Sequence, residues 1–289
     1  MRQDSDVRMQ VNGEIEERWA LRAIADASAI ETRHVVLVAS QKEGASREAM
    51  DWAERIAQAA ELRVRVAYFP QPEPAVSEAP SEAAVEQGAD GILREAAQPG
   101  VKLLVAGALP CFSGAAEAAL AQALLRRCTR PMLFVGRESS SPLVMAATDC
   151  SDPALPVLRS AWQMAAALGS QIMLVHNIDQ TGSQLAERIG MPLSAELADV
   201  LAVRSREWLE SAAAISDVVI TRERNNAEGV LSAADQLKAG LLVVGVKPAD
   251  QAPHGTALQI LLRAQRSVLF VPIGRSRHDS GVPREPPQV

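Results

Sequence analysis

The sequence is poor in aromatic residues and has no excess of positive charge. Aromatic side chains make up 3% of the 289 residues, with a single tyrosine, so stacking platforms for single-stranded nucleic acid are few. The formal net charge of −6 gives no global positive field that would attract phosphate backbones or anionic lipids. We therefore expect neither a nucleic-acid partner nor a membrane partner.

Cysteines and long apolar runs are also scarce, and both absences bear on location. The three cysteines, Cys111, Cys128 and Cys150, lack C-x-x-C spacing, which argues against a disulfide framework or a zinc knuckle. No apolar run reaches the roughly 18 residues of a transmembrane helix. The segment MRQDSDVRMQVNGEIEERW is charged where a signal peptide has an apolar core. These features predict a cytoplasmic protein with reduced thiols.

What the sequence does contain is an internal repeat. HVVLVAS and PLVMAAT are separated by the same offset as RVRVAYF and QIMLVHN. LLVAG and LLVVG, and then RPMLFVG and RSVLFVP, follow at a somewhat larger offset, so the elements have one order in both halves. A solenoid unit spans about 20–50 residues, so this much longer period indicates two copies of a whole domain.

Each half alternates short apolar segments with amphipathic stretches such as SREAMDWAERIAQAAEL. This alternation predicts a parallel sheet covered by helices on both faces. Composition and the repeat divide the chain into an N-terminal extension at 1–33, a first domain at 34–137, a second domain at 138–275 and a disordered tail at 276–289. Trp162 and Trp208 fall on helical stretches and are expected to anchor the core or the domain interface.

The order strand, glycine, loop, Gly-Thr, helix, strand resembles the universal stress protein family in its tandem form. The resemblance covers about residues 34–274. It implies two open five-stranded parallel sheets of order 3-2-1-4-5, of the adenine-nucleotide-alpha-hydrolase-like type. Members of the family commonly pair through their fifth strands, here PMLFVG and SVLFVPIG. The resemblance thus implies a pseudo-dimer of the two domains, or a homodimer.

The resemblance also implies an adenine-nucleotide site, with ATP as the ligand. The family signature is G-x2-G-x9-G-[ST] after strand four, with an aspartate at the end of strand one. Glycines let the backbone approach phosphates, and the final pair opens a helix whose N–H groups attract anions. In the second half the matching residues are Asp149, Asn177, Gly245, Gly255 and Thr256, with Asn177 at the position that offers backbone groups to adenine.

The second-half loop departs from this signature. Nine residues separate Gly245 from Gly255, where the signature needs twelve, and Lys247-Pro248 stand where the second glycine is due. Proline has no N–H to donate, so this loop cannot wrap a triphosphate in the family's usual manner. A plain turn between a strand and a helix is therefore the favoured interpretation of the loop.

The first half has lost more of the signature. Ser40 or Gln41 stands in the aspartate position, and Ala118-Ala119 stand where the closing G-[ST] is due. Gly107 and Gly114 are isolated remnants of the motif. We therefore expect the second half to hold the better pocket.

Two other kinds of site are weakly supported by the sequence. Asp149, Asp152 and Asp179 could suggest a metal, but aspartates are common at strand ends and helix N-caps, so no metal site is predicted. Ser113, Ser151 and His176 could suggest a nucleophile and its base, but no G-x-S-x-G elbow or matched acid accompanies them. No catalytic residue is predicted.

The function expected from the resemblance is a non-catalytic role in the stress response, through an unidentified protein partner or through weak ligand binding. The alternative is an ATP-binding stress protein with slow hydrolysis or switching at the second-domain pocket. An enzyme of the wider adenine-nucleotide hydrolase-like group is disfavoured, because no S-G-G-x-[DS] run follows either first strand. Fold analogy alone establishes none of these activities.

Overall fold

The structure is a computed structural model, and it describes residues 34–40, 47–68, 82–107, 115–127, 129–136, 141–148, 154–177, 217–221, 225–247 and 255–273. The predicted extension at 1–33, the predicted tail at 276–289, all three cysteines and Trp208 lie outside these ranges. The elements of the first half are β1 (Val35–Ser40), α1 (Arg47–Ala59), β2 (Arg63–Tyr68), α2 (Glu82–Ala96), β3 (Val101–Ala106), α3 (Ala115–Arg127) and β4 (Met132–Phe134).

The second half repeats this alternation of strands and helices. Its elements are β5 (Leu143–Ala147), α4 (Leu155–Leu168), β6 (Gln171–Asn177), β7 (Asp217–Thr221), α5 (Asn226–Gln236), β8 (Leu241–Val246), α6 (Gly255–Arg263) and β9 (Ser267–Pro272). Local chemistry sets several of these boundaries. Helix α4 ends at Gly169, whose φ of 61° lies in the left-handed region that glycine adopts readily. Helix α5 is capped by Asn225, the residue before its first turn, whose side chain accepts a hydrogen bond from the Glu228 N–H.

The nine strands among the described residues lie in one mixed sheet with the order β2-β1-β3-β4-β9-β8-β5-β6-β7. The expectation of two separate five-stranded parallel sheets is therefore wrong. The five strands of the second half are parallel and follow the predicted order 3-2-1-4-5, whereas the first half contributes four strands among the described residues. The two halves join where β4 pairs antiparallel with β9. Both strands are apolar and each ends its own half-sheet, so the pairing satisfies two edges that would otherwise stay open.

The junction between β4 and β9 is closely packed. The rings of Phe134 and Phe270 meet edge to face, with centroids 5.9 Å apart. Beyond β4, the N–H of Gly136 donates to the buried Ser267 Oγ at 3.0 Å. A Cβ on Gly136 would lie 2.3 Å from the carbonyl carbon of Arg266, so only glycine allows the two backbones to approach this closely. The pairing of the two fifth strands thus occurs within one chain, while a homodimer stays a prediction.

Helices cover both faces of the sheet, as the apolar strands predicted. One apolar layer contains α1 and α4, and the opposite layer contains α2, α3, α5 and α6. Each layer includes buried residues of both halves, so the core is continuous across the β4–β9 junction. Trp162 is not part of this core: it is 44% exposed on α4, contrary to its predicted role as a core or interface anchor.

Candidate functional site

A cavity of about 350 Å³ opens at the carboxyl ends of the second-half strands. The chain leaves β5 through α4 on one face of the sheet and reaches β8 through α5 on the other face. Connections that diverge in this way leave a crevice at the carboxyl ends of the strands, which is where ligands bind in open α/β sheets. We call it the switch-point cavity. Its lining residues are Ala147, Thr148, Ala154, Val157, His176, Asn177, Asn226, Val230, Val244, Gly245, Val246, Lys247, Gly255, Thr256, Ala257 and Ile273.

Three polar side chains form a relay on the β6 side of the switch-point cavity. The Thr221 hydroxyl donates to Asn177 Oδ1 at 2.8 Å, and Asn177 Nδ2 donates to Asn226 Oδ1 at 2.9 Å. Asn177 is only 8% exposed, so these bonds satisfy an amide that would be costly to bury without partners. A Cβ on Gly229 would lie 2.2 Å from Asn177 Oδ1, so the first turn of α5 packs against the relay only because residue 229 is glycine.

His176 connects the ends of β6 and β5. Its Nδ1 lies 2.9 Å from the carbonyl oxygen of Thr148, and because a carbonyl oxygen can only accept, Nδ1 carries the proton. In the neutral ring Nε2 is then a hydrogen-bond acceptor. Since the ring lines the switch-point cavity, His176 can offer that acceptor to a ligand.

The opposite side of the switch-point cavity, at β8 and α6, can attract an anion. Gly255 and Thr256 form the first turn of α6, whose leading N–H groups have no partner within the helix. Lys247 follows β8 and adds a positive charge to the same lining. Gly245, at the β8 end, is closely packed, because a Cβ there would lie 3.0 Å from a Val157 methyl group.

The residues singled out by sequence meet at this cavity with one exception. Asn177, Gly245, Gly255 and Thr256 all contribute to its lining. Asp149 lies outside the described residues, directly after Thr148, which does line the cavity. Asn177 was expected to offer backbone groups, whereas its side chain is the centre of the relay. The nucleotide-binding role of these residues stays a prediction.

Several contributors were not found from sequence. Thr221, Asn226 and Gly229 match no part of the family signature, and the sequence suggests His176 only as a base. The doubled asparagine in ERNNAEGV was the available signal, since one asparagine suffices to cap a helix.

Other sequence expectations concern metals, membranes and the first half. No group of three His, Cys, Asp or Glu side chains that could hold a metal ion occurs in the described part of the chain, and Asp152 and Asp179 lie outside it. Among the helices that the structure describes, none is long and apolar enough to cross a membrane. In the first half, Ala118-Ala119 fall inside α3, while Gly114 lies outside the described ranges.

Comparison with known protein families finds a match in the second half of the chain. The model of the universal stress protein family matches residues 143–272, from β5 to the end of β9. No curated protein sequence matches the chain.

Similar solved structures include a universal stress protein from Archaeoglobus fulgidus. It is 14% identical, with a TM-score of 0.46, and the match covers 83% of this chain and 88% of that chain. A protein of unknown function from Pseudomonas aeruginosa is 17% identical, with a TM-score of 0.47, covering 83% of this chain and 82% of that chain.

A shorter match is the universal stress protein from Archaeoglobus fulgidus in complex with dAMP. It is 21% identical, with a TM-score of 0.28, and covers 47% of this chain and 99% of that chain. The sequence match to the universal stress protein family therefore spans the half of the chain that contains the switch-point cavity.

Proposed function

We propose that this protein is a tandem universal stress protein that acts in the stress response by binding, without catalysis, a nucleotide with a single phosphate group in the switch-point cavity. The observation that carries the proposal is the polarity of the cavity. One side offers helix N–H groups and a lysine, and the other offers amide and imidazole groups. A phosphate on one side and a heterocyclic base on the other side would be complementary to this arrangement.

The phosphate is assigned to the α6 side on electrostatic grounds. The first N–H groups of a helix and its dipole favour an anion, and a hydroxyl at the second helical position adds a donor. Thr256 supplies that hydroxyl, and Lys247 supplies a full positive charge. Gly255 has no side chain to cover the helix N-terminus, and a Cβ there would meet no atom of the described residues within 4 Å.

A single phosphate suits the cavity better than a triphosphate. Its volume of about 350 Å³ lies near the lower end of the roughly 300–1,000 Å³ typical of ligand pockets. The loop between Gly245 and Gly255 is three residues shorter than the family signature, and it contains Pro248, which cannot donate a backbone hydrogen bond. The choice of adenine as base follows from the family resemblance, and AMP is the corresponding probe.

The test is titration of the purified protein with AMP and with ATP and Mg²⁺, followed by calorimetry and by thermal unfolding. We expect one AMP to bind per chain and to raise the free energy of unfolding by about 2.7 kcal/mol at a hundredfold excess over Kd. Absence of any heat or melting shift with millimolar AMP or ATP would refute the proposal. Binding of ATP much more tightly than AMP would contradict the assignment of a single phosphate.

Thr256→Val removes the hydroxyl at the α6 N-terminus and keeps the shape of the side chain. A hydrogen bond to a charged group contributes about 1.5–3 kcal/mol, so the affinity for AMP should fall roughly 10- to 150-fold. Ser232→Ala is the matched control, because its hydroxyl lies on α5 and bonds to Gln236. Equal affinities of the two variants would contradict a phosphate at Thr256.

A further inference from the structure

We infer that Asn226 determines which ligands the switch-point cavity accepts, because the relay from Thr221 through Asn177 holds its Nδ2 as a fixed hydrogen-bond donor. The inference rests on the proposed function, since it specifies the base side of the same cavity. The ligand it selects is a nucleotide whose base presents a hydrogen-bond acceptor, a ring nitrogen or a carbonyl oxygen, to α5.

The polarity of the relay follows from the order of its bonds. The Thr221 hydroxyl donates to Asn177 Oδ1, which leaves Asn177 Nδ2 to donate in turn to Asn226 Oδ1. An amide has one accepting end and one donating end. Since the oxygen of Asn226 is used inside the relay, its Nδ2 is the end left for the cavity that the residue lines.

Asn226 is not needed to begin α5. Asn225 already caps the helix, with its Oδ1 accepting from the Glu228 N–H at 2.8 Å. Asparagine is also a poor residue within a helix, because its amide competes for backbone hydrogen bonds. The helix thus has a second asparagine at its first position with no capping role, and the side chain of that asparagine reaches the cavity.

Recognition requires a donor whose direction is fixed, and packing supplies this. Asn177 is buried, and the backbone of Gly229 lies directly against its Oδ1. An amide flip at Asn177 would put Nδ2 in place of Oδ1 beside the Thr221 hydroxyl, and both relay bonds would be lost as they stand. A neutral His176 offers an acceptor in the same cavity, so the lining combines a donor and an acceptor, as a heterocyclic base does. A site built on such groups rejects ligands that leave them unpaired.

Asn226→Asp separates recognition from structure. The carboxylate keeps an oxygen to accept from Asn177 Nδ2, so the relay stays satisfied, but the donor toward the cavity becomes an acceptor. Asn225→Asp is the matched control: it adds the same charge one residue away, and aspartate caps a helix as well as asparagine does. Both variants should melt within about 2 °C of the unaltered protein.

The ligands tested are AMP, its 1-deaza, 3-deaza and 7-deaza analogues, and ribose 5-phosphate, which has no base. We expect one deaza analogue to bind the unaltered protein about tenfold more weakly than AMP, because it lacks the acceptor that Asn226 bonds. Asn226→Asp should weaken AMP at least tenfold and abolish the difference between AMP and that analogue, the signature of a direct pair in a double-mutant cycle. Ribose 5-phosphate should bind Asn226→Asp and Asn225→Asp with equal affinity.

The outcomes separate this inference from the proposed function. If the unaltered protein binds AMP but Asn226→Asp binds it as well as Asn225→Asp does, or if all three deaza analogues match AMP, the inference is wrong and the proposed function stands. If neither AMP nor ribose 5-phosphate binds the unaltered protein, the proposed function fails as well.

Thr221→Val is the second variant, for use if Asn226→Asp does not fold. It removes the first donor of the relay and therefore frees the Asn177 amide to turn. Discrimination between AMP and the deaza analogue should shrink while the affinity for ribose 5-phosphate stays the same. Discrimination equal to that of the unaltered protein would overturn the inference.

Discussion

Phe134→Ala tests whether the two halves of the chain unfold as one unit. Phe134 is 2% exposed on β4, and its ring meets that of Phe270 on β9 across the only antiparallel pairing among the described strands. Both rings belong to an apolar layer that contains residues of both halves. Truncating Phe134 therefore opens a cavity at the point where the two half-sheets join.

The size of the effect follows from burial. Replacing a buried phenylalanine by alanine costs about 3–5 kcal/mol, which combines the lost transfer free energy with the cavity that remains. For a chain of this size each kcal/mol lowers the melting temperature by about 2–4 °C, so we expect a decrease of roughly 6–20 °C. About 0.5–1.5 kcal/mol of the loss belongs to the aromatic pair itself. It should appear as a coupling energy in a double-mutant cycle with Phe270→Ala.

Scanning calorimetry distinguishes a shared unfolding transition from separate ones. The matched control is Trp162→Ala, which also truncates an aromatic side chain but at a position that is 44% exposed, and it should lower the melting temperature less. A continuous sheet and core predict one transition that moves as a whole in Phe134→Ala. Two transitions, one of them at the temperature of the unaltered protein, would refute the reasoning.

Two further predictions concern close backbone contacts. Gly229→Ala should destabilise the protein, because the new Cβ would lie 2.2 Å from Asn177 Oδ1. Gly88→Ala on α2, where the nearest neighbour of the new Cβ is 3.8 Å away, should instead stabilise the protein by about 0.5–1 kcal/mol. Urea denaturation measures both changes in the free energy of unfolding, and equal effects would contradict the steric argument. Ser267→Ala leaves the buried Gly136 N–H without its acceptor and should lower the free energy of unfolding by about 1–3 kcal/mol in the same assay. A decrease below about 0.5 kcal/mol would show that this hydrogen bond does not stabilise the junction.

The family resemblance implied the pairing of the two fifth strands, but the expectation of two separate sheets missed that this pairing makes one continuous sheet. Strands and helices follow from local patterns, because an apolar segment of five or six residues and an amphipathic stretch differ in periodicity. The order 3-2-1-4-5 came from the family resemblance, and the second half has it. The antiparallel pairing of β4 with β9 joins the last strand of one half to the last strand of the other, with Met132 opposite Phe270. No local pattern specifies which strand will cover an open edge.

The difference between local patterns and strand pairing also explains which parts of the candidate site the sequence predicted. Gly245, Gly255 and Thr256 belong to a motif contiguous in sequence, so their meeting at one cavity could be anticipated. Thr221 and Asn226 lie 44 and 49 residues from Asn177, and they reach it only because β7 pairs beside β6 and α5 starts soon after β7. A relay of this kind depends on strand order and cannot be read from spacing.

The repeat also indicates why a relay belongs to the second half. When RVRVAYF is aligned with QIMLVHN, the counterparts of His176 and Asn177 are Tyr68 and Phe69, neither of which has the amide or imidazole groups used at the second-half cavity. In the described part of the first half, moreover, β2 is the outermost strand, so no counterpart of β7 brings a hydroxyl to its carboxyl end. Without a buried amide at this position there is nothing to fix a donor, and among the described residues the first turn of α3, which begins Ala-Ala-Glu-Ala, has no hydroxyl. The two losses affect the base side and the phosphate side of the same location, so the proposed function predicts one nucleotide per chain, bound in the second half.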